Sequence, residues 1–135
     1  MSYNLSQRSM QHLSGVHPDL IAVVKRAIQI TEQDFSVIEG VRHINRQREL
    51  VAKGASKTMN SRHLTGHAVD IAPYPFNGDV DEDGVVNIED WDQYYPIEEA
   101  MKLAADELGI DLEWGGDWKS FKDGPHWQLS RKVYP

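Results

Sequence analysis

The sequence predicts an α+β fold, in which a small antiparallel sheet packs against about three helices. Helical and strand-like segments are mixed along the chain without the regular alternation that a parallel sheet requires. The strand-like segments are also short, and several end at turn-forming residues. With 135 residues and a hydrophobic content of 40%, the chain is long enough to form one domain with its own core.

Two helices are predicted in the first half of the chain. Pro18 suits the first turn of a helix, because its missing N–H would have no intrahelical partner there. The apolar residues that follow recur at helical spacing and give the helix one buried face: Leu20, Val23, Val24, Ala27 and Ile28. A second, polar helix is expected over residues 44–53, and it ends at Gly54.

The last predicted helix begins at Pro96. Glu98 and Glu99 would then lie in its first turn, where the helix dipole favours negative charge. Gly109 is its expected end. Its apolar residues are expected to face the core: Ile97, Ala100, Met101, Ala104 and Leu108.

Four short segments are predicted to be strands. Residues 34–38 are followed closely by Gly40, and residues 67–72 are stopped by Pro73. Residues 112–114 and 126–129 are the other two. Together they account for the small sheet of the predicted fold.

The net charge of −7 is concentrated in one segment. Residues 79–92 contain seven acids and no Lys or Arg, whereas the rest of the chain carries 14 acids and 14 bases. No basic stripe stands out, so nucleic acid is not an expected partner. The absence of cysteine excludes disulfides and thiolate metal ligands.

Neither export nor membrane insertion is indicated by the apolar segments. The longest apolar stretch, Leu20–Val24, is too short to cross a bilayer. The N-terminal residues lack the charged region and the apolar region of a secretory signal. We therefore expect no signal peptide and no insertion into a membrane.

Two histidines and an aspartate form a candidate metal-ligand set. His63 precedes Asp70 by seven residues, and Thr65-Gly66 offers a turn between them. His126 opens a different predicted strand and can meet Asp70 if the two strands are neighbours. Two histidines and one carboxylate suit a catalytic zinc, which keeps a fourth position for water. Spacing alone leaves open whether these are ligands or ordinary core and surface histidines.

The acidic segment contains a candidate calcium loop. Residues 79–90 match D-x-D-x-D-G-x-x-N-x-x-D, the spacing of an EF-hand loop with aspartate at position twelve. The predicted ligands are Asp79, Asp81, Asp83, the carbonyl group of Val85, Asn87 and Asp90. The alternative is a solvated acidic loop. We hypothesise that calcium orders this loop and positions one wall of the cleft, because the loop begins nine residues after Asp70.

The central and distal motifs together resemble a known family. Residues 61–70, SRHLTGHAVD, fit S-x-H-x-x-G-x-A-x-D, the signature of zinc D-Ala-D-Ala carboxypeptidases and L-alanyl-D-glutamate endopeptidases. The distal sequence Asp123-Gly-Pro-His126 resembles the phage endolysin branch and departs from the E-x-W-H of the carboxypeptidases. The resemblance extends from about residue 5 to residue 130 and implies a hedgehog/DD-peptidase-like fold.

The resemblance implies a role for each residue of the centre. His63, Asp70 and His126 would bind zinc, and Asp123 would act as the general base. The position of Asp123 fits that role independently, because a carboxylate three residues before His126 could take a proton from the metal-bound water.

Four further residues are assigned around this centre. By resemblance, Arg42 would stabilise the developing oxyanion. Gln47 is a candidate for orienting the substrate or Arg42, and Ser61 for a hydrogen bond to the substrate or to a ligand histidine. His67 lies outside the signature, so we expect it to be structural.

The resemblance implies a zinc-dependent endolysin that hydrolyses the L-alanyl-D-glutamate bond of peptidoglycan stem peptides. The alternatives are a D,D- or L,D-carboxypeptidase of cell-wall peptides and a non-catalytic calcium- or wall-binding module on the same fold. Residues 1–135 are expected to form one monomeric catalytic domain with the calcium loop inserted at 79–90. The protein would wait in the host cytoplasm until a holin opens the membrane and gives access to the periplasm and the wall.

Overall fold

The structure is a computed structural model that describes residues 3–54, 61–75, 92–119 and 122–135. The predicted calcium loop at residues 79–90 lies outside the described residues. Within the described ranges, no helix is both long enough and apolar enough to cross a membrane.

Four antiparallel strands form a single sheet, which confirms the predicted α+β class. The strands are β1 (Phe35–Glu39), β2 (Ala68–Pro73), β3 (Leu112–Trp114) and β4 (His126–Leu129), and they lie in the order β1-β2-β4-β3. All four correspond to segments predicted from the sequence. Their order makes β2 and β4 central neighbours, and Asp70 lies directly opposite His126 in their register.

The described residues also contain four α-helices and, among shorter elements, two 3₁₀ turns that lie wholly within them. The helices are α1 (Gln7–His12), α2 (Pro18–Ile30), α3 (Ile44–Ala52) and α4 (Tyr94–Leu108). The 3₁₀ turns are Arg62–Thr65 and Gly115–Asp117. Helix α1 was not predicted, whereas α2 and α3 begin and end within one or two residues of their expected positions.

The core is built where α2 and α4 pack together and against the sheet. The apolar stripe of α2 is buried as predicted: Leu20, Val23, Val24, Ala27 and Ile28. Trp114 and Trp127 stack with their ring centroids 5.6 Å apart, and both are buried. Because these two rings belong to β3 and β4, their packing holds together the two strands at the end of the sheet that carries His126.

Helix α4 ends at Gly109, as predicted, but it begins earlier than predicted. It begins at Tyr94 rather than Pro96, so Glu98 and Glu99 lie in its second turn rather than in its first. Proline is still tolerated at the third helical position, because the first N–H groups of a helix lack intrahelical partners. Leu108 is 45% exposed, because it is the last residue of the helix, at an end that projects into solvent.

Helix α1 covers the outer edge of the sheet. Strand β1 is an edge strand, and its Val37 N–H points away from β2. That N–H donates a 3.0 Å hydrogen bond to the hydroxyl group of Ser9 in α1, which is buried. A backbone donor that the sheet leaves unpaired is thereby satisfied by a side chain.

Candidate metal centre

His63, Asp70 and His126 converge at the centre of the sheet. One nitrogen or oxygen from each side chain lies within 4.8 Å of the others. His63 Nε2 is 3.1 Å from Asp70 Oδ1, and His126 Nδ1 is 3.4 Å from the same oxygen. His63 and His126 are almost fully buried, whereas Asp70 is partly open to solvent. The structure therefore brings together the three side chains that the sequence singled out.

The predicted turn between His63 and Asp70 is a short 3₁₀ segment that ends at Gly66. Gly66 adopts φ +78°, and an added Cβ would lie 2.7 Å from the carbonyl oxygen of Gly15. A residue with a side chain would be both strained and crowded there. The Ser61 hydroxyl caps the other end by accepting the backbone N–H of His63 at 3.2 Å. These contacts fix the backbone that carries His63.

The outer hydrogen bonds of the two imidazoles suit a metal between them. His63 Nδ1 is 2.8 Å from the carbonyl oxygen of Gly40, and His126 Nε2 is 2.8 Å from the amide oxygen of Gln128. Both partners are oxygen acceptors, so each of these ring nitrogens carries the proton. The opposite nitrogens, His63 Nε2 and His126 Nδ1, then face Asp70 as lone-pair donors.

The charges at the centre are compatible with a bound cation. Burial acts to raise the pKa of Asp70, but the charge of His63 and the hydrogen bonds of both histidines hold it well below its usual range. Burial acts to lower the pKa of His126, but Asp70 raises it overall. In the metal-free protein a proton can therefore occupy the place between these groups. An ionised carboxylate with two neutral imidazoles is a zinc-type donor set, and metal binding would displace that proton.

Asp123 lies in the turn that leads into β4. Its N–H donates to the carbonyl oxygen of Gly115 at 3.0 Å, and its own carbonyl oxygen accepts the N–H of His126 at 3.2 Å. Burial and then the negative charge of Asp70 raise the pKa of Asp123 to about 6, against the opposing charges of His126, His63 and Arg42. A carboxyl group with a pKa in this range, near the candidate metal centre, has the chemistry of a general base.

Arg42 contacts the centre through Asp70. Its guanidinium group donates to both carboxylate oxygens of Glu39, at 2.8 and 2.7 Å, and to Gln47 Oε1 at 2.8 Å. Nη2 also reaches Asp70 Oδ2 at 3.4 Å. Only 8% of the Arg42 side-chain surface is exposed. The guanidinium group is therefore held rigidly against the outer oxygen of Asp70.

The other predicted site residues lie around the candidate metal centre. Gln47 is fully buried, and its side-chain oxygen accepts a hydrogen bond from Arg42. Ser61 contacts the backbone of His63 rather than its imidazole ring. His67 hydrogen bonds to the Thr65 hydroxyl group at 2.7 Å, outside the group of three converging side chains.

Several further residues lie near the centre. Glu39 anchors Arg42, and Gln128 contacts His126. Tyr94 is buried, and its pKa is raised by burial and then by the charges of Asp123 and Asp70, so its hydroxyl group stays neutral beside them. The Trp118 ring lies 5.2 Å from the His126 ring. Of Glu39, Gln128 and Tyr94, which were not predicted, only Gln128 had a sequence signal: it lies two residues after His126, on the same strand face.

A four-stranded sheet brings two imidazoles and a carboxylate together near a second, half-buried carboxylate, which is typical of a small α+β hydrolase with a candidate metal centre. The chain belongs to the phage L-alanyl-D-glutamate peptidase family, whose model matches residues 1–133.

Individual relatives agree with this membership. The L-alanyl-D-glutamate peptidase of Escherichia phage T5 is 32% identical over 137 residues, which cover 99% of this chain and 94% of that protein. The peptidoglycan L-alanyl-D-glutamate endopeptidase CwlK of Bacillus subtilis is 33% identical over 144 residues, covering 92% of this chain and 81% of that protein.

A solved structure is similar over nearly the full length. The L-Ala D-Glu endopeptidase ChiX of Serratia marcescens aligns with a TM-score of 0.84 and 48% sequence identity. The alignment covers 99% of this chain and 95% of that one. The fold and the family are thus established by independent comparisons of sequence and of structure.

Proposed function

We propose that this protein is a zinc-dependent endopeptidase that hydrolyses the L-alanyl-D-glutamate bond of peptidoglycan stem peptides and thereby lyses the bacterial wall. The observation that carries the proposal is the meeting of His63, Asp70 and His126 beside Asp123. The names of the phage T5, Bacillus and Serratia relatives supply the bond and the substrate class.

In this proposal, His63, Asp70 and His126 hold the ion, and Asp123 moves the proton. Bound zinc would lower the pKa of its water to roughly 7 and polarise the scissile carbonyl group. Asp123 accepts the proton of the attacking water and then delivers it to the amine of the leaving D-glutamyl residue. Its raised pKa favours this return, because the carboxylate must both take up and release a proton near neutral pH.

Arg42 supplies positive charge next to Asp70 Oδ2, whereas the two histidines contact Asp70 Oδ1. Its contacts with Glu39, Gln47 and Asp70 support a positioning role, in which the guanidinium group fixes the angle of the ligand carboxylate. The same charge would stabilise negative charge that develops on the substrate oxygen. Gln47 would act by holding Arg42, and Ser61 by holding the backbone of His63. Either residue would also be able to contact the substrate.

We also propose that residues 1–135 form one catalytic domain with a calcium loop inserted at 79–90. The sequence spacing of the loop supports this proposal. Calcium added to zinc-loaded, calcium-free protein should raise the activity, and Asp81→Asn should abolish this response. Activity that does not change with calcium while zinc is retained would contradict the regulatory role.

The phage family suggests where this activity is used. We propose that the protein acts as a monomer on peptidoglycan and reaches the wall from the host cytoplasm after a holin opens the membrane. This order of events is tested by expressing the protein in bacteria with and without a holin and measuring lysis. Rapid lysis in both cultures would show that the protein does not depend on a holin.

The activity is tested by digesting purified peptidoglycan and identifying the new ends by mass spectrometry, with metal analysis of the same sample. The proposal expects new N-terminal D-glutamyl residues and one zinc ion per chain. Release of terminal alanine would instead identify a carboxypeptidase, and binding without cleavage would identify a wall-binding module. Asp123→Ala is the matched control: it should abolish cleavage and retain zinc.

A further inference from the structure

A chain of two hydrogen bonds connects His126 to the protein surface. Gln128 lies two residues after His126 on β4, so their side chains share one face of the sheet. His126 Nε2 is 2.8 Å from Gln128 Oε1, and Gln128 Nε2 donates to Glu113 Oε2 at 2.9 Å. Glu113 lies directly opposite Gln128 on β3. Gln128 is 7% exposed, whereas Glu113 is on the surface.

The direction of the chain is fixed at its outer end. An ionised carboxylate can only accept hydrogen bonds, so Glu113 takes the NH₂ group of Gln128. The amide oxygen of Gln128 is then turned towards His126, and His126 Nε2 must carry a proton in order to donate to it. The lone pair of the imidazole is left on Nδ1, which is the nitrogen that faces Asp70.

The second histidine of the centre does not need such a chain. His63 Nδ1 faces the backbone carbonyl oxygen of Gly40. A carbonyl oxygen can only accept a hydrogen bond, and this does not depend on the surrounding side chains. An amide side chain, by contrast, can present either its oxygen or its NH₂ group. His126 is therefore the ligand whose protonated nitrogen depends on side chains that can be substituted.

We propose that Glu113 and Gln128 are positioning residues that select the Nε2–H tautomer of His126 and so prepare Nδ1 to bind the metal. This inference rests on the proposed zinc site. Neither residue contacts the Nδ1 face of the imidazole, so both act through His126 rather than on the substrate.

Zinc affinity measured by competition with a chelator provides the first test. Gln128→Leu removes the acceptor for Nε2–H and should weaken zinc binding about 10- to 100-fold. Glu113→Gln is isosteric and exposed, so folding is preserved, but the amide of Gln128 can now turn either way. We expect it to weaken zinc about twofold to fivefold, because part of the metal-free population must reorient on binding. Glu32→Gln, the same change at an exposed position between α2 and β1, should have no effect.

The double variant Glu113→Gln/Gln128→Glu tests the direction of the chain. A carboxylate at position 128 can only accept from His126, and the amide at position 113 can donate to it, so the hydrogen-bond directions of the native chain are restored. Zinc affinity should recover to within about twofold of the unmodified protein. A purely structural role for these two side chains predicts no such recovery.

Nitrogen-15 spectra of labelled histidine report the tautomer directly. The zinc-loaded native protein should show a proton on His126 Nε2, and Glu113→Gln should weaken or broaden this signal. If the native protein binds no zinc, the proposed function fails. If it binds zinc and Glu113→Gln changes neither the affinity nor the Nε2–H signal, this inference alone is overturned.

Discussion

Asp123 rests directly on Gly115. The Asp123 N–H donates to the Gly115 carbonyl oxygen at 3.0 Å, and a methyl group added to Gly115 would overlap the carbonyl oxygen of Asp123. The same methyl group would lie 3.0 Å from the Cβ of Asp123 and 3.1 Å from the Cβ of His126. One glycine therefore sets the positions of the proposed base and of a proposed metal ligand together.

Gly115→Ala should lower kcat/KM for peptidoglycan cleavage by about 100-fold, because a displacement of roughly 1 Å at catalytic groups has that cost. Far-UV circular dichroism should remain native-like. Gly109→Ala is the control: it adds a side chain at φ +69°, with no atom within 4 Å of the new Cβ. That variant should lose about 1 kcal/mol of stability and keep its activity. Equal losses of activity in both variants would refute a local role for Gly115.

The activity should decline in acid as Asp123 becomes protonated. Its pKa, raised to about 6 by burial and by Asp70, means that the proton-accepting form is lost as the pH falls through this value. Because a bound cation favours the ionised form, the acid limb of kcat/KM in the zinc-loaded protein should be centred at or below about 6. Below it, the rate should fall about tenfold per pH unit. A limb centred above about 7 would contradict the assignment of Asp123 as the base.

Arg42→Lys should separate positioning from charge. Lysine keeps the positive charge but cannot bind Glu39, Gln47 and Asp70 at once, because it lacks the planar fork of arginine. We expect kcat to fall about 100-fold and zinc affinity to fall about 10-fold. A loss of kcat with unchanged zinc affinity would show that Arg42 acts on the substrate alone. Arg48→Lys on the exposed side of α3 serves as the matched control.

Gly66→Ala should destabilise the protein more than Gly54→Ala does. Both glycines have φ +78°, but an added Cβ meets the Gly15 carbonyl oxygen at 2.7 Å in the first case and no atom within 4 Å in the second. Conformational strain should cost about 1 kcal/mol in each variant, and crowding about 2 kcal/mol more at Gly66. Thermal unfolding of the two variants side by side measures this difference, and equal midpoints would contradict the close approach.

The parts of the structure that could be predicted are those with a local signal. The apolar stripe of α2 and the turn residues that flank the strands are visible in the sequence. The meeting of His63, Asp70 and His126 followed from residue types and from the expectation that two strands are neighbours, and their register confirms it.

The remaining features depend on contacts between distant segments. Helix α1 is six residues long and mostly polar, and it is held by tertiary contacts such as that between Ser9 and Val37, so no periodic pattern marks it. The pairing of Glu113 with Gln128 exists only because β3 lies beside β4. Leu108 fits the apolar stripe of α4 by spacing, but the helix ends before any neighbour covers it.

The hydroxyl group of Ser9 at the outer edge of β1 has a consequence for behaviour at high concentration. A strand of a second molecule cannot pair with the Val37 N–H, because that group already donates to Ser9 and helix α1 covers the edge. Association of two molecules through their unpaired edge strands is thereby disfavoured at β1. This edge of the sheet is therefore a poor template for fibre growth.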